Sequence, residues 1–96
     1  MDIILIKQLT NPIFEKFGVS RASLFGSVVR GDEKQSSDID IIIDPAKGTT
    51  LFDMAGMKID LEKSLKKPVD LLTYRSIHPR IKKYILKDQR LLYEKK

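Results

Sequence analysis

Apolar and polar positions along this chain follow two different periods, and the changes of period mark its elements. Over residues 2–17 the apolar side chains Ile3, Ile6, Leu9, Ile13 and Phe17 fall near helical spacing. Asn11-Pro12 interrupts that run, because Pro12 has no amide to donate from a helix interior. The interruption predicts a kink, or a second helix capped by Asn11 with Pro12 in its first position. Gly18 is placed to stop the helix. Arg21–Phe25 reads as a short strand. Residues 38–44 (DIDIIID) form a clearer one, in which period-two alternation sets Ile39, Ile41 and Ile43 on one face and Asp38, Asp40, Ile42 and Asp44 on the other. Leu51–Leu65 returns to helix, opened by Thr50 and Asp53 at capping-box spacing, with Leu51, Met54, Ala55, Leu61 and Leu65 as the predicted buried stripe. Gly56 inside that helix costs about 1 kcal/mol relative to Ala and points to close packing or a bend. Residues 68–73 (PVDLLT) read as a third strand. His78-Pro79 caps and opens a last helix through about Lys87, with Ile81, Tyr84 and Ile85 inward.

The order is α-β-β-α-β-α. Strand, helix, strand over residues 38–73 predicts a right-handed crossover joining two parallel strands. The Arg21–Phe25 strand reaches Asp38 through a twelve-residue connection and is expected to run antiparallel. The predicted fold is α/β (α+β): a small mixed three-stranded sheet with residues 38–44 in its centre, helices over the Ile39, Ile41, Ile43 face, and the carboxylate face open to solvent.

Composition narrows the class. A chain of 96 residues makes one domain, residues 1–96. Hydrophobic residues at 42% and charged residues at 32% suit a folded globule rather than a disordered one. The absence of cysteine excludes a disulfide framework, a thiolate metal site and a cysteine nucleophile. A single His78 excludes a multi-histidine zinc site. No apolar run approaches the ~18 residues of a membrane span, and the run Ile3 to Ile6 is shorter than the about 7–15 residues of a secretory core. A cytoplasmic protein without membrane contact is the expectation. The net charge of +5 sits wholly in residues 78–96, where seven basic residues face two acidic ones. A solvated helix face accounts for this, or an acidic partner. A nucleic-acid partner ranks last, because Tyr84 and Tyr93 are spaced for core packing as well as for base stacking.

Chemistry enters with the carboxylates. Asp38 and Asp40, two apart on a strand, lie ~6.6 Å apart on one face. They repel, and the strand gains no packing from them. A parallel neighbour at residues 68–73 would add Asp70 to that face at the same end. Three carboxylates together raise a pKa or bind a cation, and hard oxygen donors select Mg²⁺ or Mn²⁺. Taken alone, Asp-x-Asp is equally a strand cap and an exposed edge residue. Gly26-Ser27, at the end of the preceding strand, changes that balance. A Gly-Ser turn leading into Val28-Val29-Arg30-Gly31 offers free amides and a hydroxyl to an anion, with Arg30 as a cation one turn on.

Gly26-Ser27, ten intervening residues, then Asp38-x-Asp40, with a third aspartate on a later strand, resembles the signature of the DNA polymerase beta-like nucleotidyltransferase superfamily. The short chain is similar to minimal nucleotidyltransferases, encoded in prokaryotes beside HEPN-domain proteins. The likeness runs from the first helix to Leu92. Val29, at a position often filled by Ala, and the loop of residues 32–36 depart from the pattern without touching the carboxylates. The resemblance implies the nucleotidyltransferase fold and carries roles over. Asp38 and Asp40 would ligate two Mg²⁺ ions. Asp70 would ligate the catalytic one and could take the acceptor proton. Gly26 and Ser27 would hold the β and γ phosphates of ATP, and Arg30 would neutralise pyrophosphate or brace the loop. It also implies an acceptor. Minimal nucleotidyltransferases act as antitoxins that transfer AMP from ATP to a tyrosine of a paired HEPN ribonuclease toxin, and a chain too short for its own acceptor domain suits a protein partner. Two alternatives stand beside this: an antitoxin that binds its partner without chemistry, and nucleotidyl transfer to a small-molecule hydroxyl. No motif reports a base preference.

Overall fold

The computed structural model describes residues 2–26 and 38–95. Its sheet has four strands in the order β3-β2-β1-β4, formed by β1 (Arg21–Phe25), β2 (Ile39–Asp44), β3 (Val69–Thr73) and β4 (Arg90–Glu94). The expected three strands are present with the expected directions: β1 pairs antiparallel with β2, and β2 parallel with β3. The fourth strand corrects the three-stranded expectation. It runs antiparallel to β1 on its far side, so β1 and β2 share the centre of the sheet.

Helices α1 (Ile3–Lys16) and α2 (Leu51–Leu65) cover one face. Ile39, Ile41 and Ile43 are fully buried there with Ile6, Phe14, Leu24, Met57 and Leu61. Asp2 caps α1 by accepting from the Ile4 amide (2.9 Å). Its far end closes in a Schellman turn, with the Val19 amide on Phe14 O (3.0 Å), the Gly18 amide on Glu15 O (3.2 Å), and Gly18 at φ +72°. Pro12 lies inside this single helix, which excludes one of the two expected alternatives, a second helix capped by Asn11. Asn11 instead ties helix to sheet. Its amide faces two carbonyls, an arrangement that sets the nitrogen to donate to Lys7 O (3.1 Å) and Leu92 O (3.0 Å). The Phe14 and Tyr93 rings meet beside it at 5.9 Å.

The capping box of α2 forms as its sequence predicts, with Thr50 and Asp53 exchanging side-chain acceptors for backbone amides (2.9 and 3.1 Å). The buried stripe is shifted, however. Met57, Leu61 and Leu65 face the core with Met54 beside them, whereas Ala55 is exposed and Leu51 is 87% exposed in the first turn. Gly56 packs near the Phe17 ring, where an added Cβ would find ordinary contact (3.6 Å).

The opposite face of the sheet is not open along its whole length. Ser23 and Ile42 are fully buried on it. The 3₁₀ turn Tyr74–Ser76 crosses above β2, and α3 (Pro79–Asp88) packs against β1. The Tyr74 hydroxyl meets Ser23 Oγ (3.3 Å) and Gln89 Oε1 (3.1 Å). His78 caps α3, its Nδ1 accepting from the Arg80 amide (3.1 Å). This helix buries none of its residues fully, and Ile81 and Tyr84, expected inward, are 55% and 67% exposed. Ile85 and Leu86 make its half-buried side. Among the described residues no helix is long and apolar enough to cross a membrane.

Candidate active site

Sheet register assembles the site. Asp40 is the partner of Phe25 on β1 and of Asp70 on β3, so one row of the sheet reads Phe25, Asp40, Asp70. Register partners on parallel strands project to the same side. The two aspartates therefore share the face that carries Ser23 and Ile42, at the end of the sheet beyond the cover of Tyr74. Asp38 precedes β2 and is exposed, Asp40 is half-buried, and Asp70 is exposed. The Ile39 amide donates to Pro68 O (2.9 Å), which locks the starts of β2 and β3 together.

The start of β3 is also held from behind. The α2 C-cap, Lys66, adopts the left-handed conformation (φ 56°) and donates its amide to Glu62 O (2.8 Å). The Glu62 side chain reaches on to accept from the Val69 amide (2.9 Å). One residue thus closes the helix and fixes the backbone immediately before Asp70. This positioning role was not read from the sequence, although Glu62 four residues before a non-glycine helix end is a visible cue.

Gly26 stands next to Phe25 with φ +78°, and a Cβ built on it would collide with the Asp40 carboxylate, approaching Cγ to 3.2 Å. The turn and the carboxylate share space that only glycine leaves. Ser27 and Arg30 lie outside the described residues, so the geometry here includes Gly26, Asp38, Asp40 and Asp70 alone.

The donor set suits a hard divalent cation. Carboxylate oxygens supply it, the chain has no cysteine, and its one histidine caps α3. Among the described residues no three His, Asp or Glu side chains are already gathered around a common point. Asp38 and Asp70 are both exposed, and carboxylates brought to one point repel unless a cation stands between them.

A hollow of about 280 Å³ opens beside Gly26, lined by Phe25, Gly26, Tyr84, Ile85 and Asp88. Sequence reasoning did not bring α3 to the site. Tyr84 was expected in the core, and the fourth strand that returns the chain along β1 gave no cue strong enough to place the helix.

Residues 7–96 match the family described as Polymerase beta, Nucleotidyltransferase. A Methanocaldococcus jannaschii protein, named as an inferred protein adenylyltransferase, is 48% identical over 88 residues, covering 92% of this chain and 95% of its own. A Thermococcus cleftensis protein adenylyltransferase is 36% identical over 74 residues, covering 77% of this chain and 75% of its own. Among solved structures, an inferred minimal nucleotidyltransferase superposes with a TM-score of 0.82 at 30% identity, over 94% of this chain and 95% of that one. Sheet register, the Gly26 turn and these matches together place the chain in the polymerase beta nucleotidyltransferase family, and it is a nucleotidyltransferase.

Proposed function

We propose that this enzyme is a Mg²⁺-dependent protein adenylyltransferase that moves AMP from ATP to a tyrosine hydroxyl of a HEPN-domain ribonuclease toxin and thereby acts as its antitoxin. The observation that carries the reading is the close fit of Gly26 against Asp40, with Asp70 in register one strand over. It brings a backbone turn without a side chain against acidic positions from two strands. Further support comes from the relatives named protein adenylyltransferases. A solved neighbour with a TM-score of 0.74 is a Shewanella oneidensis antitoxin in complex with a tri-AMPylated HEPN toxin; at 19% identity it supports the fold and suggests the partner class.

Asp38, Asp40 and Asp70 are the residues to hold two Mg²⁺ ions. Bound there, the ions would neutralise the triphosphate and make the acceptor hydroxyl more acidic. The chain's own residues do the rest. The Gly26 backbone lets the triphosphate approach closely, and Ser27 supplies an amide and a hydroxyl to the β and γ phosphates. Arg30 balances charge on the departing pyrophosphate. The tyrosine oxygen forms a bond to the α-phosphorus while the bond from that phosphorus to the bridging oxygen breaks. Pyrophosphate leaves, and the phenolic proton passes to Asp70 or to solvent. A triphosphate carrying about four negative charges is repelled by three carboxylates in the absence of cations, so ATP binds as its metal complex.

Incubation with ATP labelled at the α-phosphate, Mg²⁺ and a HEPN-domain toxin from the same genome tests the reading. Label on a tyrosine of that protein, lost with Asp38→Asn/Asp40→Asn, is the expected result. An unlabelled partner in the presence of folded enzyme contradicts it. A double variant that still neutralises the toxin as wild type does would instead establish masking without chemistry.

A further inference from the structure

Helix α3 places Arg80, Lys83, Tyr84 and Lys87 at spacings of three, four and seven, which puts them on one side of the helix. All four are exposed, as is Ile81 beside them. Lys83 Nζ lies 5.9 Å from the centre of the Tyr84 ring. A second hollow, of about 410 Å³, is lined by Pro79, Arg80, Lys83 and Tyr84. Tyr84 also walls the hollow beside Gly26, so the two meet at this ring. Tyr84 therefore stands between the cationic side of α3 and the turn that abuts Asp40. The hollow beside Gly26 is lined by Phe25, Tyr84 and Ile85 with the Asp88 carboxylate. Away from Gly26, that lining suits an uncharged aromatic ring carrying a hydroxyl.

We propose that this side of α3 is the docking surface for the acceptor protein, and that it takes a segment rich in Asp and Glu whose tyrosine enters beside Tyr84. The proposal rests on the reading of the chain as a protein adenylyltransferase. Charge selects the occupant. The helix carries Arg80, Lys82, Lys83 and Lys87 against Asp88 alone, whereas residues 1–77 are neutral overall. A second copy offering the same surface would set cations against cations. An acidic segment gains attraction along the whole stripe, and Ile81 and Tyr84 give it apolar contact.

Fluorescein-labelled poly(Glu,Tyr), poly(Lys,Tyr) and a mixed-sequence single-stranded RNA serve as probes of the full chain by anisotropy at low salt. The acidic copolymer binds and the basic one does not. Arg80→Glu/Lys83→Glu weakens binding by roughly tenfold or more and Tyr84→Ala by several-fold, whereas Lys58→Glu/Lys63→Glu, an equal charge change on exposed α2 positions, weakens it less than about twofold. Failure to bind the acidic copolymer overturns the proposal. So does equal loss from the α2 pair, or tighter binding of RNA with the same dependence on α3. Labelled ATP and Mg²⁺ added to the same mixture separate the two ideas. Label on the acidic copolymer supports both. Binding that depends on α3 without label on the copolymer still supports α3 as the docking surface for acidic segments, and the adenylyltransferase reading is overturned if the HEPN partner stays unlabelled as well.

Discussion

The Asp40 carboxylate occupies the space in which a side chain on Gly26 would stand. Gly26 cannot gain a side chain unless Asp40 moves, although one follows β1 and the other lies in β2. A local backbone requirement and a charged group are thereby made into one unit.

Gly26→Ala tests that unit. Its positive φ and the collision with Asp40 together cost about 1–3 kcal/mol in urea unfolding. Nucleotidyl transfer falls by roughly a hundredfold, the loss expected when reacting groups are displaced by about an ångström. Combining it with Asp40→Ala removes the collision, so the stability losses add up to less than the sum of the two single variants. Strict additivity in unfolding would contradict the contact.

Asp70→Asn separates chemistry from fold. Asp70 is exposed and sits beside Asp40 in register, so neutralising it in EDTA leaves stability unchanged or raises it by about 0.5 kcal/mol. Transfer falls by roughly a thousandfold. Thermal melts supply a second reading. Wild type gains stability with Mg²⁺ and ATP by ligand linkage, and the variant gains less.

Glu62 acts through the backbone. Glu62→Ala leaves the Val69 amide without its acceptor and costs about 1–2 kcal/mol by urea titration. Glu62→Gln retains an acceptor oxygen and recovers most of that loss. Equal losses for the two variants would show that the hydrogen bond to Val69 is not the cause.

Tyr74→Phe removes the hydroxyl shared by Ser23 and Gln89. Ser23 is fully buried, so its orphaned hydroxyl brings the cost to about 1–2 kcal/mol, read by urea titration. Ser23→Ala in the same background relieves part of it, because no polar group is then left buried without a partner.

Much of the fold was legible because β2 alternates so cleanly. Ile39, Ile41 and Ile43 could face only a core, and the crossover rule then made β3 parallel and brought Asp70 level with Asp40. The misreadings have separate physical causes. Pro12 stays within α1 because a helix already seated on the sheet tolerates one missing bond, and Asn11 anchors it to Leu92. Leu51 and Phe52 are both exposed in the first turn of α2, and the buried side runs through Met57 rather than Ala55. β4 was hidden in a segment read for its charge, where only Leu92 is buried. Without β4, α3 had no place in the sheet's frame, and the exposure of Ile81 and Tyr84 had no signal in helical periodicity alone. The aspartates and the Gly-Ser turn were visible as a pattern of types and spacing. The neighbours of that pattern, Glu62 behind and Tyr84 beside it, depend on long-range packing that no local rule reports.

The crossover through α2 also governs when this site can exist at all. Asp40 and Asp70 become neighbours only after an entire helix has been synthesised and laid against the sheet. A nascent polypeptide that has emerged only as far as β2 holds an incomplete set of acidic groups. Premature termination anywhere before β3 therefore yields a fragment that lacks the Asp70 carboxylate.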